Sequence, residues 1–201
     1  MKESSDDPRH VIVNDAALLP RAHVRGWRGY LALALATCGV GLIPLAPGTW
    51  GSLVGVLLYV GLRTASLRLR MAARMGGWPV PPAAIVLNVI MLLSVAVLAL
   101  AGVWAATRCE KLLGRKDPGA VVIDEVVGQL LTFAFVPFGG RLTLLVGFVA
   151  FRVFDIWKPY PIRRLEALEF GLGIMADDVL AGFYAAVVLS LATTIYTAML
   201  R

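Results

Sequence analysis

Arg152, Asp155 and Lys158 lie three residues apart in the stretch FRVFDIWKPYPIRR. Residues at i, i+3 and i+6 of a helix return to nearly the same side, so this spacing puts a carboxylate between a guanidinium and an ammonium. Two acidic pairs stand in equally apolar company: Asp124 and Glu125 in VVIDEVVGQLLTFAFVPF, and Asp177 and Asp178 in GIMADDVLAG. Carboxylates brought within a few ångströms raise one another's pKa, and burial adds to the shift. A divalent cation relieves both penalties. With no His or Cys cluster the ligands are hard oxygens, which favours Mg²⁺, an ion that keeps several waters and often bridges to phosphate. Arg152 then suits bidentate phosphate contact and Lys158 a point charge.

Each residue also has a plainer reading. Asp177 and Asp178 could cap the last helix and complement its dipole. Asp117, before Pro118 and Gly119, reads as a turn residue. Lys158 could satisfy a helix C-terminus or snorkel, and Arg152 with Asp155 could be an i,i+3 ion pair. Asp124 and Glu125 are harder to dismiss, because two adjacent acids inside an apolar run have no capping role and such acids in a membrane segment are functional by default. Gly128, one turn beyond Asp124, permits close approach of another backbone or a ligand. In PGTWGS, Thr49 and Ser52 could hold a phosphate together with backbone N–H groups at a helix start, or Ser52 could simply cap that helix.

The elements that must position these residues are membrane helices. The chain is 59% hydrophobic and 16% charged, far from the roughly 45–50% and about 25% of soluble domains. Ala83 to Thr107 and Val179 to Leu200 carry no charge, and each reaches the ~20 residues that span a bilayer. Tyr30 to Ile43 and Leu53 to Leu62 read as two short apolar pieces around the break PLAPGTWGS, a re-entrant or broken helix. Arg63 to Arg74 reads as a basic loop or surface helix, Leu142 to Trp157 as a returning helix stopped by Pro159 and Pro161, and IRRLEALEF as an amphipathic segment. GLGIMA reads as a loop, with Asp177 opening the last span. The expected fold is therefore all-α, with two full-length spans plus several shorter, broken or interfacial helices. Residues 1–29 form a polar tail and residues 30–201 one helical domain.

Counting chain reversals places Asp124, Asp155, Lys158, Asp177 and PLAPGTWGS on a single membrane face, where Trp157 and Tyr160 mark the interface. Positive charge does not orient that face, since the loops on both sides of the first full span carry four basic residues each. The net charge of +6 is scattered between apolar segments, which points to a membrane surface and away from nucleic acid. Cys38 and Cys109 have no zinc spacing and read as buried thiols. CEKLLGR matches C-x5-R, but a helix-forming run with Glu110 beside the thiol is unsuited to a low-pKa thiolate.

Taken in order, GLIPLAPGTWGSL, DPGAVVIDEVVGQ, FRVFDIWKPYPIR and GIMADDVLAG resemble bacterial phosphatidylglycerophosphatase A over about residues 36 to 190. The resemblance implies an Mg²⁺-dependent enzyme of the bacterial cytoplasmic (inner) membrane. Its expected reaction converts phosphatidylglycerophosphate to phosphatidylglycerol and phosphate, and the site is expected to face the cytoplasm, where that substrate is made. On this footing Asp124, Asp155 and Asp178 are the leading metal ligands, with Glu125 or Asp177 as a further ligand or general base. The cation would polarise the phosphoryl group and orient the attacking water. Arg152, Lys158, Thr49 and Ser52 would hold non-transferred oxygens. Attack by water and attack by an aspartate nucleophile both remain open. The competing class is a transporter or channel using intramembrane carboxylates, against which stand the gathering of charge at one face and the lack of an inverted repeat.

Overall fold

The computed structural model describes residues 26–79, 83–136 and 140–199, so most of the expected tail, residues 1–25, lies outside the described residues. The described residues form seven helices and no strand: α1 (Trp27–Thr37), α2 (Pro47–Met75), α3 (Ala83–Leu113), α4 (Ile123–Thr132), α5 (Arg141–Trp157), α6 (Ile162–Leu165) and α7 (Gly171–Met199). Helix α1 begins inside the segment expected to be tail, at Trp27.

Among the described residues three helices are long and apolar enough to cross a membrane, one more than the sequence suggested. The addition is α2, in which the short piece Leu53–Leu62 and the basic segment Arg63–Arg74 are one continuous helix of 29 residues. The break before it is confined to residues 38–46, where Cys38 and Ala46 take left-handed backbone angles. Pro47 occupies the first helical position, where its missing N–H costs nothing and its fixed φ favours the helix. Ser52 is tolerated because its hydroxyl donates to Gly48 O at 2.8 Å. At 1.5 Å per residue α2 is about 43 Å long, more than the ~30 Å hydrocarbon core.

Helix α7 also starts earlier than its sequence suggested. GLGIMA is helical, so Asp177 and Asp178 lie in the second turn, buried to 6% and 3% exposure. N-terminal capping of α7 therefore does not account for either acid. At the other junction, α5 ends at Trp157 because Lys158 takes a left-handed angle ahead of Pro159.

Helix α4 is the centre of the bundle. Its ten residues rise about 15 Å and cannot span, and all but Glu125 are buried. It packs on α7, α2 and α3, while α5 packs on α7 and α1 on α3. A Cβ placed on Gly182 of α7 would collide with Gly128 O, and one on Gly128 would lie 2.6 Å from Asp178 O. The two helices thus meet backbone to backbone through Gly128 and Gly182. Large apolar side chains such as Leu57, Leu93, Leu100 and Leu191 stay exposed on the outer faces, as expected where the solvent is lipid.

Candidate active site

The glycine contact fixes the site. Asp124 precedes Gly128 by four residues, and Asp178 precedes Gly182 by four. Each acid is therefore one helical turn from the crossing, and the two face each other across it. Helix α2 arrives from the third side: a Cβ on Gly48 would overlap Glu125 Oε1 and lie 3.0 Å from Arg152 Nη1, and one on Gly55 would lie 2.8 Å from Gln129 Cβ. The first turn of α2, with its N–H groups and positive dipole end, thus abuts Glu125 and Arg152.

Oxygens of Asp124, Glu125 and Asp178 lie within 4.8 Å of one another. Asp124 Oδ1 and Glu125 Oε2 are buried without a hydrogen-bond partner, a costly state for carboxylate oxygens. Burial raises Asp124 well above the ordinary carboxylate range, with Glu125 and Asp178 pushing the same way. Burial likewise lifts Glu125 to about 7, opposed by its hydrogen bond with Asp124. Three mutually repelling acids with orphaned oxygens fit a hard divalent cation, which would satisfy the lone pairs and cancel the repulsion.

Around this trio the other charged residues divide into two groups. Arg152 Nη1 donates to Asp155 Oδ2 at 2.6 Å, and Asp155 is near enough to Glu125 to act on it electrostatically. Lys158 has left the helix and does not share this pairing. Its Nζ donates to Asp177 Oδ2 at 2.7 Å and to Glu166 Oε1 at 2.6 Å. Burial disfavours the ammonium, but those two bonds outweigh it and hold Lys158 protonated. Asp177 Oδ1 also accepts from the Asp178 N–H at 3.0 Å, so Asp177 is engaged by partners while Asp178 joins the trio. Thr49 is exposed, and Ser52 is wholly buried with its hydroxyl committed to Gly48 O.

Asp117 does form the expected turn, with φ 49°. Its N–H donates to Glu110 Oε1 at 3.1 Å, and burial raises its carboxyl despite the nearby Lys158. Neither thiol joins the trio. Cys109 is buried with Sγ donating to Ala32 O at 3.8 Å. Cys38 is only part-buried, and its thiol is pushed up to about 11 by burial and by Glu125.

Sequence reasoning passed over Gly48, Gly182, Gln129 and Glu166. Gln129, fully buried one turn from Glu125, has both amide atoms unpartnered. The signal for Gly182 was present, because Asp178 and Gly182 repeat the D-x3-G spacing of Asp124 and Gly128.

The family profile described as "Phosphatidylglycerophosphatase A" matches residues 33–193. A Haemophilus influenzae protein named "Phosphatidylglycerophosphatase A" is 40% identical over 75% of this chain and 80% of its own length. An Escherichia coli protein of the same name is 30% identical over 75% and 76%. A Bacteroides thetaiotaomicron protein named "Putative phosphatidylinositol-3-phosphatase" is 34% identical over 77% and 87%. No solved structure matches significantly.

Proposed function

Since the chain belongs to the phosphatidylglycerophosphatase A family, we propose that it hydrolyses the terminal phosphomonoester of phosphatidylglycerophosphate, using Mg²⁺, at the cytoplasmic face of a bacterial inner membrane. The observation that carries the reading is the trio Asp124, Glu125 and Asp178, with unpartnered buried oxygens beside a guanidinium.

Asp124, Glu125 and Asp178 would hold the cation, with Asp155 as the adjoining fourth carboxylate. Bound Mg²⁺ supplies Lewis-acid polarisation of a phosphoryl oxygen and a more acidic water. The chain's own contribution is positioning. Asp155 fixes Arg152 through a 2.6 Å bond, leaving the rest of its donor fork for non-transferred phosphate oxygens. The first turn of α2 adds its positive dipole end and the Gly48 N–H on the same side, since Pro47 has no N–H and those of Thr49 and Trp50 donate to Ala46 O. Lys158, committed to Asp177 and Glu166, balances the acidic end of α7 and braces the second turn from which Asp178 projects. A site on a membrane helix bundle meets a lipid's phosphate without extracting the lipid.

The test is phosphate release by the purified protein in detergent. Release from phosphatidylglycerophosphate that stops with chelator and returns with Mg²⁺ is the expected result. Release from phosphatidylinositol 3-phosphate in its place would transfer the reading to that substrate, and release from neither would end it.

A further inference from the structure

On the outer face of the bundle, between α3 and α7, runs a groove of about 740 Å³ whose lining includes Leu100, Val103, Trp104 and Leu172, with Arg108 and Lys111 at its charged end. Its volume lies within the ~300–1,000 Å³ of ordinary ligand sites, and it contains none of the residues given catalytic roles above. The helices meet tightly beside it: the Gly171 N–H donates to Thr107 Oγ1 at 3.1 Å, and a Cβ on Gly171 would lie 2.7 Å from Thr107 N.

The two cations on its lip pair with no carboxylate among the described residues. Arg108 lies 5.9 Å from the Trp104 ring centroid, and Lys111 Nζ lies 5.1 Å from that of Phe170. The acid between them in sequence, Glu110, is turned inward at 8% exposure and accepts from the Asp117 N–H. An apolar trough on a membrane-crossing helix, ending in two positive charges one turn apart, complements an anionic lipid: acyl chain below, phosphate above.

The groove also leads somewhere. Lys111 lines a neighbouring cavity with Glu110, Arg115, Lys116 and Glu169. Lys116 and Phe170, shared with that cavity, line a third that includes Asp117 and Asp177. The three cavities adjoin through shared lining residues, and the third reaches Asp177, the chain neighbour of Asp178, without being lined by Asp124, Glu125 or Asp178.

We infer that this groove is where the anionic glycerophospholipid substrate docks from the bilayer, its phosphodiester on Arg108 and Lys111, before its terminal phosphate moves to the carboxylates. The inference rests on the phosphatase reading for the identity of the lipid. The experiment compares the wild type with Arg108→Gln/Lys111→Gln. At about 1 kcal/mol per basic side chain at an anionic lipid surface, the double variant should show KM for the long-chain lipid raised about 30-fold, with kcat unchanged. An unchanged KM, or a fall in kcat alone, overturns the docking role. A second readout does not depend on turnover: in nanodiscs, acyl-brominated phosphatidylglycerol should quench the Trp104 signal, obtained by difference against Trp104→Phe, more than brominated phosphatidylcholine does. The double variant should abolish that preference. Equal quenching by both lipids in the wild type overturns the groove, whereas selective quenching without any phosphate release overturns the phosphatase reading alone.

Discussion

Gly128→Ala adds one methyl group where α4 and α7 touch. The new Cβ would lie 2.6 Å from Asp178 O, whereas ordinary carbon contacts begin at 3.4 Å. The same Cβ would lie 2.5 Å from Cε2 of the wholly buried Phe151, so α5 and α7 must both give way, α7 by up to about 0.8 Å. The atom that moves belongs to Asp178, so its carboxylate leaves the trio with it. Mg²⁺ demands near-ideal octahedral geometry, and a misplacement of about 1 Å costs on the order of 100-fold in rate. We expect kcat to fall about 10- to 100-fold and half-activation to need more Mg²⁺, with a stability loss of about 1–3 kcal/mol. Gly61→Ala is the control, since nothing lies within 4 Å of its added Cβ. Phosphate release titrated with Mg²⁺, alongside thermal melts in detergent, reads both effects. A Gly128→Ala protein with wild-type kcat and Mg²⁺ dependence would refute the idea that this contact sets the carboxylate spacing.

Asp155→Asn should lose nearly all phosphate release while still entering the membrane, because Arg152 loses its anionic anchor; an active variant would leave Asp155 a structural role. Lys158→Met strands Asp177, whose side chain is only 8% exposed, and should cost about 1–3 kcal/mol in melting experiments. Glu125 has a folded pKa of about 7 against an ordinary 4.5. In that window the folded metal-free protein holds a proton that the unfolded chain has released, so stability should fall as pH rises from 4.5 through 7, and Mg²⁺ should narrow the loss. Melts of metal-free and Mg²⁺-loaded protein across this range check the sign. Cys109→Ser should keep full activity, as expected of a thiol whose contact is the Ala32 carbonyl.

The acids were legible because two of them stand together in an apolar run, although the structure corrects the reason: both lie in the first turn of α4, where they complement the helix dipole, a helix-end role the sequence reading had denied them. Register was harder. Gly171 and Gly173 made the start of α7 read as a loop, although they serve close contacts, Gly171 against Val103 and Thr107 and Gly173 against Leu168 O. PGTWGS misled for the same reason, since Gly48 lies against Glu125 and Arg152 and Gly51 against Val122 and Glu125. A glycine that admits a neighbour and a glycine that ends a helix look identical until the neighbour is known. Helical periodicity grouped Lys158 with Arg152 and Asp155. Its partners Glu166 and Asp177 lie 8 and 19 residues onward, beyond a proline break that periodicity does not cross.

The shortness of α4 has a consequence for biogenesis. A ten-residue helix carrying two acids and a buried glutamine cannot be inserted as an independent span, whereas α2, α3 and α7 can. On length and composition the three long helices can each span, whereas α4 depends on its neighbours for a buried place, so Asp124 and Glu125 meet Asp178 only in the packed bundle. The carboxylate trio is thus a property of the assembled bundle and of no single span.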